Sequence, residues 1–225
     1  MATHLDLEEQ EQLDQLKHFW KQYGNLITWV LIAVLGAYAA WNGWTWWQRD
    51  QSTKAGALYD EIDKAAQAGE ADRAATLFAN LKDRYPRTAF AQQAGLLVAK
   101  SQFDKGQLDN AVGTLTWVAG NGVEEEYKTI ARLRLAGVLL DQKKHDEALK
   151  QLDGATAKAF EALVADRRGD VLVAQGKKDE AKAAYQKAWQ TMDPKIDYRR
   201  LVEAKLTALG AAPDADKAKP VEAAK

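Results

Sequence analysis

The stretch GKKDEAKAAYQKA (Gly176–Ala188) aligns without gaps with three others in the same chain: GEADRAATLFANL (Gly69–Leu81), GQLDNAVGTLTWV (Gly106–Val118) and KKHDEALKQLDGA (Lys143–Ala155). All four carry an acid at one position (Asp72, Asp109, Asp146, Asp179) and an alanine two residues later (Ala74, Ala111, Ala148, Ala181). Four residues beyond the alanine comes a large side chain (Phe78, Leu115, Leu152, Tyr185), and seven beyond it an apolar one (Leu81, Val118, Ala155, Ala188). Positions spaced by four and seven share one face of a helix. The alanines are 37, 37 and 33 residues apart, a period long enough for two helices and a turn. With four prolines in 225 residues and no strand-like alternation, the fold class is all-α.

Each aligned position has a physical reason. The glycine that opens three of the segments ends a first helix in the left-handed conformation, which only Gly adopts without penalty. The acid starts a second helix, where it complements the dipole or caps free N–H groups. The alanine is small because two helices cross there, and the large residue beyond it fills the adjoining space. Lys143 stands where the other units have Gly, which predicts a less well formed turn or a different geometry at that point.

On these residues the chain resembles the tetratricopeptide family. RGDVLVAQGKKDEAKAAYQKA (Arg168–Ala188) carries Gly169, Leu172, Gly176, Ala181, Tyr185 and Ala188 at the spacings of the family signature, and Pro86 sits at its repeat-ending proline phase in the first unit. The first unit departs from the pattern with Ile62 and Ala65 where small and large residues are expected, and the second has Gln102 at a core phase. The resemblance implies an α-solenoid of about four helix pairs, the family period being about 34 residues, within residues 55–209. After the last pair, Pro194 precedes a helical stripe of Tyr198, Leu201, Val202, Lys205, Leu206 and Leu209, expected to be a capping helix over the end of the stack. Residues 210–225 lack large core side chains and are expected to form a disordered tail.

In this family the first helix of each pair lines the concave face. Carried over by phase, the resemblance implies a groove of Tyr59, Leu96, Lys100, Phe103, Ile130, Leu133, Leu140, Leu163, Asp170 and Val173. Most of these are apolar, which suits exposed apolar segments of a polypeptide better than short charged tails. The alternative is burial of several of them between neighbouring repeats or under the capping helix.

Upstream, residues 22–48 contain no Asp, Glu, Lys, Arg or His, and Leu26–Trp47 reads LITWVLIAVLGAYAAWNGWTWW. As a helix this run spans roughly 33 Å, against about 30 Å for a bilayer core. Six of the eight tryptophans fall between positions 20 and 47, gathered as two aromatic belts with Trp20 at one end and Trp41, Trp44, Trp46 and Trp47 at the other. A buried helix of a soluble protein fits poorly, because the rest of the chain is polar enough to bring mean hydropathy to −0.45. A cleaved signal peptide is the better rival, with Ala37-Tyr38-Ala39 as a small-x-small pattern, but the preceding residues are acidic and the apolar run continues past that point. The expectation is an uncleaved single-pass transmembrane anchor at 22–48 after a tail at 1–21, the latter either a short amphipathic helix or a solvated, frayed segment. Ala33, Gly36, Ala37, Ala40 and Gly43 fall on one helical face, a candidate contact for another membrane helix or ordinary small-residue usage; Asn42 could bond across such a contact or reach headgroups. Lys17 and Lys21 on one side balance Arg49 and Lys54 on the other, so flanking charge leaves orientation open.

From Gln51 onward 28 Lys+Arg stand against 26 Asp+Glu, so there is no basic footprint for nucleic acid. The chain has no cysteine, which removes disulfides, thiolate metal sites and cysteine nucleophiles. His4, His18 and His145 form no motif, Glu124–Glu126 read as a loop and helix start, and no Gly-rich phosphate loop is present. The expectation is a protein that is not an enzyme and has neither metal nor cofactor.

The whole layout is also similar to the YfgM-type proteins of the bacterial inner membrane, ancillary subunits of the SecYEG translocon. EEQEQLDQLKHFWKQYGN (Glu8–Asn25) and RRGDVLVAQGK (Arg167–Lys177) strengthen that match. The resemblance implies a cytoplasmic N-terminal tail, a periplasmic helical domain, and association with the SecYEG translocon and a PpiD-like periplasmic chaperone. Its implied role is to assist export or chaperone hand-over of unfolded or nascent secreted proteins. The alternative is a structural scaffold that organises envelope complexes without binding clients.

Overall fold

The computed structural model describes residues 7–211. Among them there is no strand. The helices are α1 (Leu7–Gln67), α2 (Ala71–Arg84), α3 (Ala89–Asp104), α4 (Leu108–Asn121), α5 (Glu125–Asp141), α6 (His145–Asp153), α7 (Glu161–Ala174), α8 (Lys178–Thr191) and α9 (Tyr198–Ala208), with one 3-10 turn at Lys158–Phe160. The chain divides into two units after Asp50, and α1 contributes residues to each. Residues 49–54, which fall between the expected anchor and the expected repeat domain, are helical. The first helix of the first repeat is therefore the last part of α1.

In the first unit the apolar side chains of α1 are exposed on every side, Trp41 at 73%, Trp29 at 65% and Leu35 at 64% among them. Only 6% of the most apolar window is buried, unlike the core helix of a soluble protein, and α1 is the one helix among the described residues long and apolar enough to cross a membrane. Polar side chains within the run are satisfied by their own helix, as an apolar solvent requires. Thr28 Oγ1 donates to the Gly24 carbonyl at 2.8 Å and Thr45 Oγ1 to that of Trp41 at 2.6 Å. Asn42 Nδ2 donates to the Tyr38 carbonyl at 3.2 Å, so its amide turns back on α1. The tail is helical from Leu7 onward, and residues 1–6 lie outside the described residues.

The second unit is built from four helix pairs and a closing helix. The four aligned alanines are fully buried, each below a large residue no more than 4% exposed. The same turn closes the first helix of each of the four pairs and α9. Its outer hydrogen bond runs from Glu70 N to Ala65 O, Gln107 N to Gln102 O, Lys144 N to Leu139 O, Lys177 N to Leu172 O and Ala211 N to Leu206 O, at 2.8–3.0 Å. Its inner bond runs from Gly69, Gly106, Lys143, Gly176 and Gly210 to the carbonyls of Ala66, Phe103, Leu140, Val173 and Thr207. This is the Schellman arrangement, which needs a left-handed residue. Lys143 takes φ of 61°, close to the 71–77° of the glycines. The expected deviation at Lys143 does not occur; the two bonds hold a non-glycine residue in the left-handed region. Gly210 and Ala211, placed by the sequence in the disordered tail, complete the fifth turn, and residues 212–225 lie outside the described residues.

The four aligned acids do not cap their helices. The N-cap residues are Glu70, Gln107, Lys144 and Lys177, none with a side-chain cap bond, and the acids lie two positions further in, in the first turn, where they face the positive end of the dipole. Three of them also join neighbouring units. Gln107 Nε2 donates to Asp72 Oδ1 at 2.9 Å, Gln142 to Asp109 at 2.9 Å and Gln175 to Asp146 at 2.8 Å.

Buried side chains form three groups: one on α1, α2 and α3, one on α3 to α6 that also takes in Val171 of α7, and one on α7 to α9. α9 buries Val202 and Leu206 completely and leaves Arg200, Glu203 and Thr207 exposed, the polar outer face that a terminal repeat requires. The pairs are alike except for one member. α2, α4 and α8 have 14 residues each, whereas α6 has nine and stops before Gly154.

Candidate functional site

The first helices of the pairs carry the ten groove residues expected from the sequence, and burial separates these into distinct groups. Leu96 is 7% exposed and belongs to the core between α3, α4 and α5, so it is not available to a ligand. Arg134 Nη1 reaches across to its carbonyl at 3.1 Å. Ile130, Leu133 and Leu140 are half-buried against the same core. Tyr59 is half-buried with its ring 5.7 Å from that of Phe90; burial first, then Asp63 and Asp60, pushes its phenol above the ordinary range. Lys100 is exposed and paired with Asp104 within its own helix.

Three apolar members remain open: Phe103 at 41%, Val173 at 40% and Leu163 at 37% exposed. Phe103, Leu140 and Val173 each supply the carbonyl of the inner turn bond, so they occupy one phase in three successive units and form a row. The two ends of that row, Phe103 and Val173, and separately Leu163, are the apolar part of the expected groove which the fold leaves open, Leu140 being packed against the core.

Asp170 lies elsewhere in effect, at the joint between α7 and α9. Lys205 Nζ of α9 contacts Asp170 Oδ1 at 2.7 Å and both oxygens of Asp166 at 2.8 and 2.9 Å. Tyr185 OH donates to Asp170 at 2.7 Å and Tyr198 OH to Asp166 at 2.8 Å. Arg167 approaches Asp170 at 3.6 Å. Burial, then the bond to the neighbouring carboxylate, pushes both phenols far above their usual range. Asp170 is thus committed to fastening the capping helix, the alternative that the sequence had left open. Asp166 was not singled out from the sequence; the one signal was a second acid four residues before Asp170, on the same helical face. Among the described residues no group of three or more His, Cys, Asp or Glu side chains is arranged to hold a metal ion.

Residues 17–211 match the family model of a tetratricopeptide repeat-like domain. A Neisseria gonorrhoeae protein named ancillary SecYEG translocon subunit is 34% identical over 213 residues, which cover 93% of this chain and 100% of that one. The chain belongs to this family. Two further members of the ancillary SecYEG translocon subunit family, from Escherichia coli and Haemophilus influenzae, are each 30% identical, over 79% and 82% of this chain and 85% and 90% of their own lengths. The family match begins at Lys17 and therefore takes in the apolar part of α1 as well as the helix pairs. The family resemblance drawn from the sequence and the all-α, tetratricopeptide-like architecture both stand.

Proposed function

We propose that the chain is an ancillary subunit of the SecYEG translocon, anchored in the bacterial inner membrane by residues 22–48. In this reading residues 1–21 are a cytoplasmic tail, the tetratricopeptide-like domain within 55–209 is periplasmic, and residues 210–225 are a C-terminal tail. The observation that carries it is similarity along the entire length of a relative bearing that name, apolar segment included. The exposed apolar side chains of α1 support the anchor.

Within that role the open side chains Phe103, Val173 and Leu163 receive exposed apolar segments of unfolded or nascent secreted proteins, alongside a PpiD-like chaperone. The small-residue face of Ala33, Gly36, Ala37, Ala40 and Gly43 contacts another membrane helix. A Cβ added at Gly36 or Gly43 would meet nothing within 4 Å, so that face is open for such a contact. No chemical step is assigned to the chain.

Purification in mild detergent is expected to bring SecYEG with the wild-type protein. Photocrosslinkers at Phe103 and Val173 are expected to reach secretory clients, and Phe103→Glu with Val173→Glu to weaken that crosslinking at least tenfold. These exposed positions are better probes than Leu133 and Leu140, whose replacement disturbs the core. Unchanged client crosslinking in the double variant removes the groove. A second reading, a scaffold that binds only folded partners, is favoured by the burial of Leu96 and half-burial of Leu133; crosslinks confined to folded partners would establish it instead.

A further inference from the structure

The short α6 leaves a cleft on the side of the solenoid formed by its second helices. Five residues that continue the helix in the other three pairs are here Gly154, Ala155, Thr156, Ala157 and Lys158, which do not. The matching turn in the other pairs buries Leu81, Val118 and Ala188 completely, whereas Ala155 is half-exposed. The resulting opening between α6, α7 and α8 has a volume of about 720 Å³.

The cleft is held open by bonds on its far side. Thr156 Oγ1 donates to Glu125 at 2.7 Å, and Ala157 N donates to the fully buried Thr129 Oγ1 at 3.1 Å, so the connecting loop is drawn onto α5. Any side chain at Gly154 would collide with the Arg132 guanidinium. Held there, the loop from Ala155 to Lys158 forms one edge of the opening.

Leu149, Val164 and Leu172 give the opening an apolar floor, with Ala183 on its wall. Four cations line it, Lys158, Arg168, Lys177 and Lys187, against Glu161 and Glu180. Lys187 pairs with Glu161 at 2.8 Å and Arg168 with Asp153. Lys158 and Lys177 have no ion pair among the described residues. An apolar trough with two lysines outside any ion pair at its edge is complementary to a helix that is apolar on one side and acidic on the other.

We propose that this cleft is a docking site for a short acidic amphipathic helix of a partner protein, which supplies in trans the turn that α6 lacks. It is separate from the row of Phe103, Leu140 and Val173.

The test uses the full chain in lipid nanodiscs and three probes. The first is a fluorescent 14-residue helical peptide with leucines at i, i+3, i+4 and i+7 and glutamates between them; the second has lysine for glutamate; the third is dodecanoate. The acidic peptide is expected to bind and the basic one not. Binding should fall at least tenfold in Ala183→Trp, which fills the cleft from an exposed position, and in Lys158→Glu with Lys177→Glu, both variants keeping wild-type helical content by circular dichroism. Phe103→Glu with Val173→Glu should leave it unchanged, which separates this site from the proposed groove. Equal binding of the two peptides, insensitivity to Ala183→Trp, or binding of dodecanoate without the acidic peptide would each overturn the proposal.

Discussion

Replacing Lys205 by methionine removes the one cation shared by two carboxylates at the joint between α7 and α9. The Asp166 side chain is 3% exposed, that of Asp170 20% and that of Lys205 21%. Removing one partner of a buried pair typically costs about 3–5 kcal/mol, because the remaining charge is left desolvated and unpaired. Here each carboxylate keeps one phenol donor, and Lys205 is partly in contact with water. The expected loss is therefore at the lower end, about 3 kcal/mol. For a domain of this size that corresponds to a fall in Tm of roughly 6–12 °C. Denaturation followed by circular dichroism measures it, and amide exchange of α9 should rise before that of α3 or α5. In an Asp166→Asn background the same replacement should cost about 1 kcal/mol, since the more deeply buried negative charge is already gone. A loss below about 1 kcal/mol for Lys205→Met alone, or equal losses in both backgrounds, would refute the reasoning that charge pairing fastens α9.

Lys143→Gly is expected to stabilise the chain by about 0.5–1 kcal/mol, because it relieves a left-handed non-glycine residue and leaves both turn bonds in place; an unchanged denaturation midpoint would count against it. Tyr185 and Tyr198, whose phenols are raised by burial and by their carboxylate partners, should ionise above the ordinary phenol range in an absorbance titration. A raised phenol favours folding while neutral, so its contribution is complete below about pH 10 and is lost as pH rises beyond that, by at most about 1.4 kcal/mol per pH unit for Tyr185.

Much of the fold could be read from side chains with a single local reason. The alanines, the large residues after them and the turn glycines answer to packing and backbone rules that act within one helix pair, and the structure follows them closely. What escaped the sequence depends on partners far along the chain. The acids at the starts of the second helices read as dipole partners or caps and prove to be the former, but the contact that three of them make to a glutamine 29–35 residues away was out of reach of a local reading. The Lys143 turn read as irregular, because a rule about one residue did not include the two hydrogen bonds that hold it. Six of the groove residues, Tyr59, Leu96, Ile130, Leu133, Leu140 and Asp170, are buried or half-buried, since their phase predicts the face and burial depends on the neighbouring unit. The cleft at α6 had a visible trace, the 33-residue spacing where the others are 37, but a spacing does not say which helix is short.

The stunted α6 also bears on how the domain comes apart. In a stack of repeats stability is close to a sum over units and the interfaces between neighbours, and two of the three groups of buried side chains meet at α6 and α7. The helix that would bridge them is five residues short of its counterparts. Opening of the domain is therefore expected to begin there, with α7, α8 and α9 leaving as one block once Val171 gives up its place in the core of α3 to α6. On that expectation amide exchange in α7 to α9 outpaces that in α3 to α5, and the last block can be lost and regained without unmaking the rest.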